Sequence, residues 1–430
     1  MKKIIVVLLS ILPLGVQAQD GFYKDLFMDS GIMLTSRVDL PSARLSGFTM
    51  ESFISTQHSQ TEKYAFTAMD TMQQTRLISG YELDENGILL YPDGAPRFRC
   101  VYMNGGKAKG HGRSLGEKGR KNFLTFIKNG GSYLGSCAGV FLASVGTKLP
   151  DADPKPYPEY LGIWPGYATS TGLEKSATDI ELEQNSPLLN YYSFEGKMRI
   201  DSVRHNGGCY GNTTFQCPEG TEVLARYGHP LGEPKRNIQG EPVVWAWKEN
   251  PYTGRVVCCG SHPEEVTAGP RLELTAAMLK YAMEGNGLPS VKGILKNGET
   301  RRMDKQTHDQ DPAFTRIGDR QYHHFKVEVP EGVQQLRIQL RSITGYEHFD
   351  LYLCARYGDF AFRDQADFKN VTLNIDKSIV IPQPQSGILY VSVFCATTVD
   401  TYQTRYGTQY TRRVDVLNGV PYELAVDMEF

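Results

Sequence analysis

Hydrophobic residues follow two different patterns along this chain, and the change falls near residue 290. In the first part, 97–103 predicts a strand, 114–130 predicts a helix that ends at a glycine, and the segment leading to residue 136 predicts a second strand. A last helix is predicted over 270–283, where apolar residues recur every three or four positions. This alternation predicts an α/β domain whose parallel sheet is covered by helices.

Beyond about residue 305 the apolar residues alternate with period two. Phe325, Val327 and Val329 show the pattern, which recurs around 336–340 and 389–393. Short alternating strands separated by turn residues predict an antiparallel β-sandwich. The Gly-, Asn- and Lys-rich segment before it has no periodicity and predicts a linker. The predicted organisation is a signal peptide over 1–18, an α/β domain over 19–286, a linker over 287–304 and a β-sandwich over 305–430.

The first residues have the features of a secretory signal peptide. Lys2 and Lys3 precede an apolar run from Ile4 to Leu14, and a small-residue site ends at Ala18. The run is too short to span a bilayer, and no other segment is long and apolar enough to form an integral membrane segment. We therefore expect an exported protein, either periplasmic or extracellular, including one held at the cell surface. A non-cleaved anchor is the alternative.

Composition and charge narrow the class further. The 430 residues suffice for two or three domains, and 40% hydrophobic with 22% charged residues is typical of a globular protein. Lys and Arg number 46 against 48 Asp and Glu, which gives a formal net charge of −2. This near-balance gives no indication of a nucleic-acid partner.

The most specific chemical feature surrounds Cys137, in the run Gly-Gly-Ser-Tyr-Leu-Gly-Ser-Cys-Ala-Gly of residues 130–139. Small residues on both sides permit the strained strand-to-helix turn that lifts a nucleophile clear of a sheet. The amide of Ala138 is then expected to face a reacting carbonyl, and the positive end of the following helix favours a thiolate. A buried packing thiol is the alternative interpretation.

A candidate base follows a second predicted strand. The β-branched segment 255–259 runs into Gly-Ser-His-Pro-Glu, which places His262 two residues before Glu264. Residues two apart on an extended segment project to the same side, so the carboxylate is expected to hold the imidazole by its second nitrogen. With Cys137 this pair supplies the nucleophile, base and orienting carboxylate of a triad. A polar surface turn is the alternative.

A glycine loop follows the predicted strand 97–103. Gly105 and Gly106 lack side chains, so their backbone amides can approach a ligand closely. An oxyanion hole needs two donors, and we expect Gly105 or Gly106 to act together with Ala138. A plain turn is the competing interpretation of these glycines.

Together, these three elements resemble the class I glutamine amidotransferase-like superfamily. The run from Asn104 through His111-Gly-Arg to Gly139 resembles, more narrowly, the amidotransferase-like domain at the amino terminus of some biotin-protein ligases. Further matches are Gly162-Ile-Trp-Pro-Gly, Asn206-Gly-Gly, Glu222-Val-Leu-Ala-Arg-Tyr and Gly260-Ser-His-Pro-Glu. The resemblance covers about 97–285, whereas 20–96 show no opening strand. It implies a flavodoxin-like, mostly parallel sheet with helices on both faces, and the later strands are similar to bacterial pre-peptidase C-terminal sandwiches.

The eight cysteines raise the question of disulfides in an exported chain. The candidate pairs are Cys209 with Cys217 and Cys354 with Cys395. The nine histidines show no zinc-type spacing with cysteines, and His323-His324 is interpreted as a solvated pair. The sequence therefore predicts neither a cofactor nor a metal.

Two functions remain open on the sequence alone. The first is a secreted cysteine hydrolase or acyl-transfer enzyme, of amidase or peptidase type, which acts on a small-molecule amide or a peptide. In it, Arg113, Trp164 and Tyr167 are candidate substrate-binding residues, although Trp and Tyr are also common packing residues. The second is a non-catalytic binding protein that retains the fold and uses the sandwich to contact a glycan or a protein. Glutamine-dependent amidotransfer is disfavoured, since no synthetase domain that would receive ammonia is recognisable.

Overall fold

The structure of the protein is a computed structural model. It describes residues 21–29, 40–53, 87–149, 151–211, 217–231, 237–264, 266–373, 376–404 and 407–430. The predicted signal peptide over 1–18 lies outside these described residues. Within them, no helix is both long and apolar enough to cross a membrane.

The first part of the chain forms one large mixed sheet with helices. Its strands are β1 (Lys24–Asp29), β2 (Met50–Phe53), β3 (Phe98–Met103), β4 (Ser132–Ser136), β5 (Gly146–Thr147), β6 (Lys155–Pro156), β7 (Tyr167–Leu182), β8 (Arg199–Gly211), β9 (Glu222–Leu231), β10 (Pro242–Trp247) and β11 (Val256–Cys259). The α-helices are α1 (Pro41–Leu45), α2 (Ala108–Lys128), α3 (Ala138–Ala143) and α4 (Pro270–Glu284). Short 3₁₀ helices occur at Pro187–Asn190, Phe194–Gly196, Pro312–Phe314 and Val414–Asn418.

The sheet divides into a parallel and an antiparallel half. Strands β2, β1, β3, β4 and β11 are neighbours in that order, and all four pairings are parallel. Strands β10, β9 and β7 continue the sheet with antiparallel pairings, and β8 pairs antiparallel with β7. At the far edge β5 is parallel to β7 and β6 is antiparallel to β5. The predicted α/β class is therefore confirmed, and the parallel half contains the strand that leads to Cys137.

Helices cover both faces of the parallel half, as predicted. The side chains of β3 alternate between two apolar clusters, with Val101 in one and Cys100 and Tyr102 in the other. Phe123 of α2 belongs to the first cluster and Leu274 of α4 to the second. Burial on both faces requires a nearly continuous apolar strand, and this is why β3 shows no clear period of two.

Strand β1 lies in the region where the sequence showed no opening strand. It contains only three apolar residues, Leu26, Phe27 and Met28, between charged residues at both ends. All three are buried, because β1 pairs on one side with β2 and on the other with β3. Helix α2 also begins earlier than residue 114, and it is interrupted at Gly116, whose φ of 64° lies outside the helical region.

The carboxy-terminal strands form two packed sheets, which confirms the expected change of architecture. They are β12 (Val291–Leu295), β13 (Thr300–Met303), β14 (Tyr322–Val329), β15 (Gln335–Ser342), β16 (Leu351–Tyr357), β17 (Phe368–Asn370), β18 (Lys377–Pro382), β19 (Gly387–Cys395), β20 (Asp400–Thr404), β21 (Gly407–Arg412) and β22 (Tyr422–Glu429). One sheet has the order β12-β14-β19-β16-β17 and the other β13-β22-β15-β18, and all pairings except β12 with β14 are antiparallel. The hairpin β20–β21 forms a separate two-stranded sheet, which is hydrogen-bonded to β2 through side chains.

The linker prediction over 287–304 is wrong for most of that segment. Strands β12 and β13 are built from it, and each lies at the edge of one sandwich sheet. Edge strands are buried on one side only, and here Leu295 and Met303 are the buried residues. So few buried positions leave no period-two signal in the sequence.

The two parts of the chain share a buried polar contact. Arg97 donates from Nε and Nη2 to the two carboxylate oxygens of Asp319, at 3.1 and 2.7 Å, and from Nη1 to the carbonyl of Ile88. Both charged side chains are 1% exposed. Lys292 pairs in the same seam with Asp93 at 2.7 Å. The sandwich is therefore packed against the α/β part through buried charges, beside a shared apolar cluster.

Two further sequence interpretations are corrected by the sandwich. His323 and His324 are buried in β14, where their Nδ1 atoms lie 2.9 Å from the Tyr422 hydroxyl and 2.7 Å from the Ser392 hydroxyl. Burial lowers the pKa of His324 to about 3. They are a neutral structural pair, not a solvated one. Neither proposed disulfide is formed among the described cysteines. Cys354 pairs across the sheet with Ser392, and Cys395 pairs with Leu351, so the two cysteines are out of register.

Candidate active site

Cys137 occupies a strained turn between β4 and α3. Its φ and ψ are 48° and −105°, a left-handed conformation that non-glycine residues rarely adopt. Gly139 allows the turn to pack closely, because a Cβ there would lie 2.4 Å from the Met103 carbonyl oxygen. The Cys137 amide donates to the Cys259 carbonyl at 2.9 Å. This is the backbone arrangement of a nucleophile elbow, and it leaves Cys137 6% exposed at the floor of a cavity.

His262 reaches the elbow because of the order of the strands. Strand β11 is parallel to β4, with Cys259 opposite Ser136, so both strands end at the same edge of the sheet. The His262 amide donates to the Arg204 carbonyl at 2.7 Å, which fixes the segment beyond β11. The imidazole forms a side-chain hydrogen bond with Cys137. The two predicted groups, distant in sequence, are therefore in contact.

Glu264 orients the imidazole. Its Oε1 lies 2.7 Å from His262 Nδ1, and both side chains are less than a tenth exposed. Burial lowers the pKa of His262, but the Glu264 charge and the hydrogen bonds with Cys137 and Glu264 outweigh burial and raise the pKa to about 11. The imidazole is therefore protonated at neutral pH, and its positive charge lies beside the sulfur of Cys137.

Two further residues, which the sequence reasoning did not identify, support the carboxylate. Ser136 donates from its hydroxyl to Glu264 Oε1 at 3.3 Å, and the Tyr102 hydroxyl lies 3.0 Å from Ser136 Oγ. Burial, followed by the Glu264 charge, raises the pKa of Tyr102, so the phenol stays protonated and can donate. The only local signal was the position of Ser136 next to Cys137, and nothing in the sequence linked Tyr102 to the site.

The glycine loop lies against the imidazole, as well as beside the cavity. A Cβ at Gly105 would lie 2.3 Å from His262 Cε1 and 3.0 Å from Nε2, so only glycine fits there. Gly106 and Ala138 both line the cavity that contains Cys137. Of the three residues predicted for the oxyanion hole, Gly106 and Ala138 thus lie at the cavity, and Gly105 lies against the His262 imidazole.

The cavity above Cys137 has a volume of about 860 Å³. It is wide enough for a ligand larger than one amino acid, since small-molecule sites commonly enclose roughly 300–1,000 Å³. Its lining includes residues from the α2 amino terminus, the α3 elbow, the 147–160 segment and β8. Arg113 lines it, and its guanidinium is paired with Glu159 at 3.0 Å.

The prediction of Trp164 as a substrate-binding residue is wrong. The side chain is 1% exposed, its ring centroid lies 5.1 Å from that of Trp245, and its Nε1 donates to Thr221 Oγ1. Tyr167 is half-buried at the start of β7 and does not line the cavity either. Trp164 therefore serves packing, which is a common role of aromatic residues.

Other lining residues were not predicted as site residues. Asn206, Gly207 and Gly208 of β8 form one wall, and the Asn206 carbonyl lies 4.0 Å from Cys137 Sγ. Tyr157 and Tyr160 form another part of the lining. The Asn-Gly-Gly run was a recognisable sequence match, but its proximity to the cysteine depends on the antiparallel half of the sheet. Among the described residues, no group of three or more His, Cys, Asp or Glu is arranged to hold a metal ion.

Two solved structures are similar to this chain at low identity. A glutamine amidotransferase is 20% identical with a TM-score of 0.29, over 43% of this chain and 79% of that one. A putative GMP synthase component of Thermoplasma acidophilum is 12% identical with a TM-score of 0.35, over 61% of this chain and 95% of that one.

Sequence comparisons with known proteins match the part of the chain that contains this site. The family model described as the amino-terminal part of biotin-protein ligase matches residues 95–304. A biotin–protein ligase of Schizosaccharomyces pombe is 27% identical over 229 residues, which cover 48% of this chain and 32% of the ligase. The chain thus spans about a third of that relative. Residues 95–304, which contain the elbow, the His262–Glu264 pair and the glycine loop, therefore resemble the class I glutamine amidotransferase-like domain at the amino terminus of biotin-protein ligases.

Proposed function

We propose that the protein is an exported cysteine hydrolase or acyl-transfer enzyme that acts on an amide or peptide bond. The observation that supports it most is the contact of three groups from two parallel strands: Cys137 on a strained turn, His262 hydrogen-bonded to it, and Glu264 2.7 Å from the imidazole. Nucleophile, base and orienting group in this order are the arrangement used for acyl transfer. The resemblance to amidotransferase-like domains supports an amide-related activity or binding at the coarser level.

In the proposed reaction, the Cys137 thiolate attacks the carbonyl carbon of the substrate. A carbon–sulfur bond forms, and the electron pair of the carbonyl moves to its oxygen. Backbone amides of Ala138 and the Gly105–Gly106 loop stabilise that oxyanion. Gly106 and Ala138 both line the cavity, and neither has a large side chain that would cover its backbone there.

His262 handles the proton in both halves of the reaction. The imidazolium gives its proton to the leaving nitrogen as the carbon–nitrogen bond breaks, which leaves a thioester on Cys137 and a neutral imidazole. The imidazole then takes a proton from water as the water oxygen attacks the thioester carbon. The carbon–sulfur bond breaks, the carboxylic acid leaves, and the starting ion pair is restored. In acyl transfer, another nucleophile takes the place of water.

Export is part of the proposal and depends on the first 18 residues. Two lysines, an eleven-residue apolar run and a small-residue cleavage site are the features of a signal peptide. The enzyme would then act in the periplasm or outside the cell. Comparing the amino terminus of the mature protein with the encoded one, by mass spectrometry of fractionated cells, tests this part.

The activity is tested with a panel of short peptides and simple amides, by the appearance of free amine. We expect Cys137→Ala to abolish release, His262→Ala to reduce it sharply, and Glu264→Gln to reduce it less, because an orienting group is partly dispensable. Cys217→Ala is the matched control, since Cys217 is half-buried and does not line the cavity. Release that survives Cys137→Ala would refute the assignment. An unreactive Cys137 would favour the binding protein with sandwich contacts to a glycan or a protein.

A further inference from the structure

The cavity above Cys137 carries an excess of positive charge. Lys107, Lys109, Lys155 and Arg113 line it, and Asp153 is the acidic residue among the described lining residues. The chain as a whole has a formal net charge of −2, whereas the cavity lining has a net positive charge. A cleft lined by one sign of charge, with low-dielectric walls, concentrates ions of the opposite sign. Phe141, Leu149 and Tyr160 provide such apolar surface in the same lining.

The lysines, not the arginine, supply the positive charge that is not held in an ion pair. Arg113 is bound by Glu159 through both Nε and Nη2, at 3.1 and 3.0 Å. Lys107, Lys109 and Lys155 form no ion pair with a described residue. Their side chains are exposed to the cavity mouth.

One aromatic ring organises two of these lysines. Lys109 Nζ lies 3.8 Å from the centroid of the Tyr157 ring, and Lys155 Nζ lies 5.8 Å from the same centroid. A cation over a ring face is attracted to the ring without being neutralised. Tyr157 itself lines the cavity, so the two ammonium groups are held near its entrance with their charge available.

We propose that the substrate carries a carboxylate, or another anionic group, close to the amide bond that Cys137 attacks. This inference rests on the proposed cysteine chemistry and specifies its substrate class. His262 already offsets the charge of the thiolate, and three lysines outside ion pairs attract an anionic group to the cavity. The volume of about 860 Å³ leaves room for such a group beside the scissile amide. The class includes acidic amino-acid derivatives and short peptides with a free carboxyl terminus.

The test uses two alkylating reagents of similar size and opposite electrostatic behaviour. The full-length protein reacts with iodoacetate, which is anionic, or iodoacetamide, which is neutral, and Cys137 labelling is followed by mass spectrometry. The rate ratio of iodoacetate to iodoacetamide is compared with that of glutathione. Any effect of the lysines on the thiolate itself cancels in the ratio, so the ratio reports selection for charge alone.

At low ionic strength we expect the Cys137 ratio to exceed the glutathione ratio by about tenfold. Each unit charge at ~6–10 Å in water changes the encounter by about two- to threefold, and three lysines act together. Glutamine replacement of Lys107, Lys109 and Lys155 should bring the ratio to that of glutathione, as should high salt. Lys121→Gln is the matched control, since Lys121 is also an exposed lysine of α2 but does not line the cavity.

Two failures are distinguishable. If Cys137 reacts with both reagents but its ratio equals that of glutathione, or stays unchanged in the triple variant, the substrate class is refuted while the cysteine chemistry stands. If Cys137 reacts with neither reagent, the proposed function is refuted, and the substrate class with it.

Discussion

Replacing Gly105 by alanine should displace the imidazole of His262 without unfolding the protein. The added Cβ would lie 2.3 Å from His262 Cε1, whereas ordinary contacts begin at 3.4 Å, so the ring must retreat by about 1 Å. The φ of Gly105 is not in the left-handed region, so alanine brings no backbone strain. The substitution is therefore expected to change the relative positions of His262, Cys137 and Glu264, and not the stability of the backbone.

The expected decrease in reaction rate follows from that displacement of the imidazole. A misplacement of about 1 Å at reacting groups can cost on the order of 100-fold in rate. The retreat also strains the 2.7 Å contact between His262 Nδ1 and Glu264, which would lower the population of imidazolium beside the sulfur. We therefore expect alkylation of Cys137 at mildly acidic pH to slow by about tenfold or more, and amide hydrolysis by on the order of 100-fold.

The assay combines the alkylation rate with thermal melting. Gly211→Ala is a matched control in the same sheet, because its Cβ would meet the Trp245 ring at 3.3 Å and touch no member of the site. The control should keep the wild-type alkylation rate. If Gly105→Ala alkylates at the wild-type rate with an unchanged melting temperature, the position of His262 does not control the cysteine, and the reasoning is refuted. Rescue of the rate by exogenous imidazole would support it.

Three further outcomes are expected. Asp319→Ala should lower the free energy of unfolding by about 3–5 kcal/mol, since it leaves Arg97 buried without its carboxylate. Asp309→Ala breaks an exposed ion pair between the same two parts of the chain and should lower it by less than about 1 kcal/mol. Equal denaturation midpoints of the two variants would contradict this. The pKa of His262 in the folded protein is raised from 6.5 to about 11, so its stabilising contribution is complete below about pH 6.5 and disappears as the pH rises through about 11. The difference in melting temperature between wild type and His262→Gln should therefore shrink with rising pH. A difference that increases with pH would contradict this prediction. Ser136→Ala removes one hydrogen bond to the Glu264 carboxylate, so it should lower the alkylation rate by less than about tenfold. A decrease as large as that of His262→Ala would assign Ser136 a different role.

Much of the candidate site could be predicted from the sequence because its signals are local. The elbow requires small residues beside Cys137, and they stand next to it in the chain. His262 and Glu264 are two residues apart, so their contact follows from an extended backbone alone. The class of fold was predictable for the same reason, since apolar periodicity within each segment distinguishes helices from strands.

Residues that act across the fold were not predictable. Tyr102 reaches Ser136 because β3 and β4 are neighbours, and Trp164 packs on Trp245 because distant segments meet in the core. Neither fact leaves a mark on the neighbouring sequence. An aromatic residue has the same local pattern whether it lines a cavity or fills a core, and only its tertiary neighbours decide between the two.

The organisation of the chain shows the same division. The change from mixed elements to period-two strands is visible in the sequence, and it correctly located a second architecture. The predicted linker failed because β12 and β13 are edge strands with few buried positions. The contact between the two parts could not be predicted because nothing in the local sequence links Arg97 with Asp319. Local periodicity is set by which face of an element is buried, and the sequence records it. Which elements become neighbours is set by long-range packing, and that decides whether a charge is buried, a ring is packed, or a lysine lines the cavity above Cys137.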